Sequence, residues 1–129
     1  MFARRFALLF IALVLCAGTA DADPLSWRKI VVDTAFRSEG VAVADVNRDG
    51  RNDILVGDFW YEAPAWKKHQ IRPPAPNLGD GARTYSEAFC VFADDVNNDR
   101  WPDMIVVGFP GKPCVWYENP KNAPGDRPW

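Results

Sequence analysis

Histidine is nearly absent from this 129-residue chain, which carries one, at position 69, beside only three cysteines. No His or Cys cluster therefore has zinc-ligand spacing. No serine stands in a nucleophile-elbow context and no glycine-rich phosphate loop occurs, so the sequence by itself gives no support for an enzyme. An excess of positive charge is also missing: 15 Lys and Arg stand against 17 Asp and Glu, for a formal net charge of -2. Such a chain has no electrostatic reason to seek nucleic acid or an anionic membrane surface. The apolar run from Phe6 to Ala17 is too short to cross a bilayer comfortably as a helix of about 20 residues.

That run follows Arg4 and Arg5 and leads into small residues ending Ala20-Asp21-Ala22, which is the order of segments in a secretory signal peptide. Residues 1–22 are expected to be removed, placing residues 23–129 outside the cytoplasm, secreted or periplasmic, with no membrane span. Leu15 precedes Cys16 where lipid attachment would need a small residue, and the surroundings of Arg4-Arg5 do not fit a twin-arginine signal. Cleavage takes away two Arg and one Asp and leaves a net charge of -3. Cys90 and Cys114 remain, in a compartment that permits disulfides. They fall on strands expected to be non-adjacent, about 10 Å apart, whereas a bridge needs Cα atoms within about 7 Å, so buried free thiols are expected.

What the sequence does have is self-similarity. Asp45-Val46-Asn47-Arg48-Asp49 returns fifty residues later as Asp95-Val96-Asn97-Asn98-Asp99. Apolar segments flank both copies: Val41–Ala44 and Ile54–Gly57 around the first, Phe89–Ala93 and Met104–Gly108 around the second. Trp60-Tyr61-Glu62-Ala63-Pro64 recurs as Trp116-Tyr117-Glu118-Asn119-Pro120, and Trp27-Arg28-Lys29-Ile30 resembles Trp66-Lys67-Lys68-His69. Each unit is predicted to hold four strands: the Trp-Lys element, one before the acidic loop, one after it, and one at Trp-Tyr-Glu. The runs after the loops are continuously apolar, which predicts sheets covered on both faces. The fold class is therefore all-β, with two four-stranded antiparallel blades at about 27–64 and 66–120 and a third beginning at Trp129. Arg72–Ser86, with three prolines and two glycines, reads as an irregular spacer.

The first acidic loop places oxygen-bearing side chains at alternate positions: Asp45, Asn47, Asp49 and, at the ninth, Asp53. A hard cation takes six to eight oxygens, and this spacing can offer those side chains plus the Arg51 backbone carbonyl, which points to calcium. Gly50 supplies the sharp turn at the sixth position. An EF-hand is excluded, since position twelve is Val56 rather than Glu and the flanks are β-rich. The second loop offers Asp95, Asn97, Asp99, the Trp101 carbonyl and Asp103, but has Arg100 in place of the glycine. A left-handed backbone at arginine costs on the order of 1 kcal/mol.

The doubled loop and the trailing Trp-Tyr-Glu-x-Pro resemble the FG-GAP or VCBS repeats of secreted proteins. The resemblance spans about Trp27 to Trp129. It implies a multi-bladed, integrin α-like β-propeller whose loops bind calcium, of which this chain is the N-terminal part, acting as an adhesion, ligand-binding or scaffold module. A literal Phe-Gly followed by Gly-Ala-Pro is absent. The alternative is a non-catalytic N-terminal piece of a propeller-fold hydrolase or lyase acting on extracellular polymers. Expected partners are a protein or carbohydrate ligand, with self-association open through exposed strand edges. Trp60, Tyr61, Trp116 and Tyr117 could stack on sugar rings, but their recurrence favours packing. His69 is expected to be an exposed strand residue.

Overall fold

A computed structural model of the chain describes residues 25–74, 81, 84–121, 128 and 129. The expected signal peptide, and parts of the Pro-rich spacer and the tail, lie outside the described residues. Every regular element among those described is a strand, so the chain is all-β there, and no helix is long and apolar enough to cross a membrane. Strands β1 (Val41–Ala44), β2 (Asp53–Val56), β3 (Phe59–Glu62) and β4 (Lys67–Gln70) form an antiparallel sheet in that order. Strands β5 (Cys90–Asp94), β6 (Asp103–Val107) and β7 (Cys114–Tyr117) form a second antiparallel sheet. The β-branched and aromatic residues that fill these strands suit a pleated, half-buried surface.

Two strand assignments differ from expectation. The Trp66–His69 element closes the first sheet instead of opening the second, with β4 paired to β3 through Trp60↔His69 and Tyr61↔Lys68. Its sequence twin at Trp27–Ile30 has no strand conformation. The second sheet consequently has three strands, not four. Trp129, expected to begin a third unit, packs back against the core, its amide donating to the Ile71 carbonyl at 2.7 Å.

Cross-strand register sorts the side chains into rows. On one face of the first sheet Ala42, Leu55, Trp60 and His69 lie side by side. On one face of the second, Val91, Val106 and Val115 form one row and Ala93, Met104 and Tyr117 the next. These faces meet, and Leu55, Trp60, Val91, Met104 and Val106 form the buried core with Val46, Ile71 and Ala88. His69 is buried, contrary to expectation: its ring stacks on Trp60 at 4.3 Å between centroids and its Nε2 lies 2.7 Å from Glu62 Oε2. Lys67 and Lys68 beside it are exposed and hide the inward position in the sequence.

Polar ties cross the same interface. Arg72 Nε donates to Asp58 Oδ1 at 2.5 Å, and its Nη1 donates to the Tyr117 hydroxyl at 3.0 Å. The Ser86 hydroxyl donates to Glu39 Oε2 at 2.5 Å, joining the lead-in of β1 to that of β5. Between these lead-ins the backbones approach so closely that a Cβ on Gly40 would stand 2.5 Å from the Val91 nitrogen. Only glycine allows β1 and β5 to lie this near.

The segment before β1 covers part of the first sheet's outer face. Asp33 accepts hydrogen bonds from the Ala35 amide and Arg37 Nε, both at 2.9 Å, and from the Tyr61 hydroxyl. Arg37 also lies over the Phe59 ring at 4.9 Å. Burial pushes the Asp33 carboxyl up, but these three donors outweigh it and hold it well below the usual carboxylate range. Burial, then Asp33, push the Tyr61 hydroxyl up to about 12.

Gly40→Ala is expected to destabilise the fold by about 1–3 kcal/mol, the usual range for forcing atoms into a close-packed site, read as a lower urea midpoint. Asp33→Asn is expected to cost about 1–2 kcal/mol at neutral pH, the scale of hydrogen bonds to a charged acceptor. A depressed carboxyl contributes stability above its ordinary pKa and loses it as pH falls. The gap between wild type and Asp33→Asn in urea titrations should therefore close as pH drops below 3.8.

Candidate functional site

The two acidic loops connect β1 to β2 and β5 to β6, and they share one hydrogen-bond pattern. In the first, the Asp49 amide donates to Asp45 Oδ1 at 2.9 Å and to Asn47 Oδ1 at 3.1 Å, and the Gly50 amide donates to Asp45 Oδ2 at 2.9 Å. In the second, the Asp99 amide donates to Asp95 Oδ1 at 2.8 Å and to Asn97 Oδ1 at 3.2 Å, and the Arg100 amide donates to Asp95 Oδ2 at 2.6 Å. The seventh-position amides, Arg51 and Trp101, each donate to Oδ1 of the fifth-position aspartate, Asp49 and Asp99, at 2.9 Å. The Asx residues thus wrap the loop around their own carboxylates, which is why short Asp and Asn side chains are needed there.

Backbone conformation repeats as well. Arg48 and Asn98 have φ of 59° and 62°, and Gly50 and Arg100 have φ of 87° and 72°. The second loop adopts the glycine conformation with an arginine, so the strain expected from the sequence is present in the loop and is not avoided by a different turn. Arg48 reaches across to the other loop, its guanidinium 5.4 Å from the centre of the Trp101 ring. Asn119, buried, donates through Nδ2 to the carbonyls of Val46 and Pro102, both at 3.0 Å, and so fixes the two loops side by side.

The ninth-position residues behave differently from the rest. Asp53 and Asp103 are fully buried. Asp53 accepts from the Val46 amide at 3.0 Å through Oδ2 and from the Ala63 amide at 2.8 Å through Oδ1. Asp103 repeats this with Val96 at 3.1 Å and Asn119 at 2.8 Å. Each carboxylate pins the start of its loop to the end of the Trp-Tyr-Glu strand. Burial raises the Asp53 pKa; the Ala63 and Val46 amides oppose that, and the charges of Asp49 and Asp45 add to it.

Glu62 and Glu118 belong to the site although the loop spacing does not contain them. Asn47 Nδ2 donates to Glu62 Oε1 at 3.3 Å, and Asn97 Nδ2 to Glu118 Oε1 at 3.0 Å. Each glutamate turns the oxygen of its asparagine toward the loop. Their recurrence in Trp-Tyr-Glu was the signal available in the sequence. Cations already sit at the fifth positions: Arg51 Nη1 is 3.3 Å from Asp49 Oδ2, and Lys121 Nζ is 3.0 Å from Asp99 Oδ2. Lys121 is the leading cause of a lowered Asp99 pKa, and Asp99, then Glu118 and Asp103, raise that of Lys121. That Asp99 oxygen is shielded from solvent and makes no well-aligned hydrogen bond, so the lysine contact is an ion pair without good donor geometry.

Among the described residues, no three His, Cys, Asp or Glu side chains converge closely enough to hold a metal ion. The reason lies in the hydrogen bonds above: the first-position and ninth-position carboxylates are both turned toward amides. Chemically the first loop still suits a hard cation. Its donors are all oxygen, three are carboxylates that repel one another, and an oxygen accepting one amide proton keeps a second lone pair. Elsewhere, Trp60 and Tyr61 are buried and unavailable for stacking on a ligand, Tyr117 is packed against the core, and Trp116 is exposed. Cys90 and Cys114 are free and occupy the two strands flanking β6, opposite Val107 on either side.

Asp53→Ala would leave two amides without an acceptor, one of them buried, at roughly 1–3 kcal/mol each. A large drop in the urea midpoint in chelator is the expected outcome. Asp49→Ala, whose partners are exposed, should change the midpoint in chelator by less than about 1 kcal/mol. No family model, curated protein or solved structure matches this chain.

Proposed function

We propose that this protein is an exported, calcium-stabilised repeat module of the FG-GAP or VCBS type. Its two sheets are blades of a larger β-propeller that serves as an adhesion, ligand-binding or scaffold element. The observation that carries the reading is the recurrence of one hydrogen-bonded acidic loop, down to the glutamate that orients its asparagine, at two places fifty residues apart. Two turns that merely reversed the chain would not need the same seven oxygen acceptors in the same order. Face-to-face packing of the sheets, with their inner strands β1 and β5 adjacent, supports the propeller part of the proposal.

In the first loop Asp45, Asn47 and Asp49 would supply side-chain oxygens, Arg51 its backbone carbonyl, and Asp53 the closing carboxylate. In the second loop the corresponding set is Asp95, Asn97, Asp99, Trp101 and Asp103. The metal would neutralise carboxylates that now repel one another, and its contribution is structural. Binding to the folded chain alone stabilises it by mass action, about 2.7 kcal/mol at a hundredfold excess over Kd. The second loop has less to gain, because its Lys121–Asp99 pair is shorter and less exposed than the Arg51–Asp49 pair of the first.

Thermal unfolding in millimolar calcium and in excess chelator tests the proposal. A midpoint raised by several degrees in calcium is expected, with most of the rise lost in Asp49→Ala and little of it lost in Asp99→Ala. An equal midpoint under both conditions would reduce the loops to turns and remove the metal from the function.

A further inference from the structure

The two sheets are stacked in the same sense, and that order leaves each with one complementary open face. Equivalent positions in the two units follow from the acidic loops and the Trp-Tyr-Glu strands: Ala42 matches Phe92, Leu55 matches Ile105, and Trp60 matches Trp116. In the first sheet this row faces inward and is covered by the second sheet. In the second sheet the same row, Phe92–Ile105–Trp116, faces the other way. Phe92 is 55% exposed and Trp116 43% exposed. Conversely, the Val91 and Ala93 positions of β5, which press on the first sheet, correspond to Val41 and Val43 of β1, which are 59% and 60% exposed.

We propose that the Phe92–Ile105–Trp116 face of one copy docks on the Val41–Val43 strand of a second copy of this chain, repeating the contact between the two sheets within one chain. The internal interface is the template: it joins the row Ala42–Leu55–Trp60 to β5, and each open face carries the residues equivalent to one side of it. The surfaces are apolar and uncharged at their centres. The rest of the first sheet's outer face, at Phe59 and Tyr61, is already closed by Asp33 and Arg37. A cleft of about 520 Å³ remains between that segment and Val41, Ile54 and Val56. It would admit Phe92, which is bulkier than Ala42 at the equivalent position of the first sheet.

The contact is heterologous, so each copy offers one donor face and one acceptor face. This deepens the propeller proposal by naming the source of further sheets, and it is independent of calcium. The purified protein is examined by sedimentation equilibrium at tens of micromolar, in calcium and in chelator, together with Trp116→Glu and Val43→Glu. Wild type is expected at two copies or more, each variant alone at one copy, and an equimolar mixture of the variants at two copies. The mixture recovers association because one variant retains the donor face and the other the acceptor face. A monomeric wild type, variants that still self-associate, or a mixture that stays monomeric would each overturn the proposal. Circular dichroism confirms that each variant keeps its sheets; should Trp116→Glu lose them, Phe92→Lys takes its place. A calcium-dependent midpoint in a monomeric wild type would refute docking while leaving the metal proposal intact.

Discussion

A carboxylate buried at the end of each sheet sets the arrangement of everything near it. Two amides hold each of Asp53 and Asp103. Taking an ionised group out of water is tolerated only when hydrogen bonds replace the lost solvation. In return, the second residue of the acidic loop and the residue that follows Trp-Tyr-Glu are brought to one point. The loop can then curl around Asp45 or Asp95, the glutamate can reach the asparagine, and the sheet edge ends where the neighbouring loop begins. Asn119 shows the dependence most directly, since the residue whose amide satisfies Asp103 also clasps the first loop through its side chain.

Much of this was legible beforehand. The all-β class followed from short apolar runs between turn-rich segments, and β1, β2, β5 and β6 stand within a residue or two of where the loops implied them. The Trp66 element was misplaced because a strand's sequence does not name its partner. Pairing of β4 with β3 is decided by the short turn after Glu62, and the same tryptophan-lysine pattern at Trp27 forms no strand at all. His69 was misjudged because two lysines precede it; alternation had to be counted from Trp60 across the sheet to see that it faces inward.

The site was read from spacing, which names its members but not the environment of each. Spacing identified Asp45, Asn47, Asp49 and Asp53 as one set, yet it could not separate a carboxylate turned to amides in the interior from one lying at the surface. Position nine in a loop is the same in a list of residues whether it closes around an ion or anchors a strand. Glu62, Glu118, Asn119 and Lys121 lie outside the loop motif and reach it only through sheet pairing. Only the recurrence of Trp-Tyr-Glu marks the two glutamates in the sequence; Asn119 and Lys121 carry no such mark.

Lys121 gives the second loop a counter-ion that is part of the chain. An ammonium tethered near Asp99 has an effective concentration set by the length of its stem, not by the medium. Lys121 and Asp99 are 45% and 18% exposed, so dissolved salt screens this pair in part. In the first loop the Arg51 guanidinium plays the same part for Asp49, in a longer and more exposed pair that salt screens more strongly. One motif copied twice carries two counter-ions of unequal shelter, and Asn119, bound to both loops, is the point at which a change in one would be felt by the other.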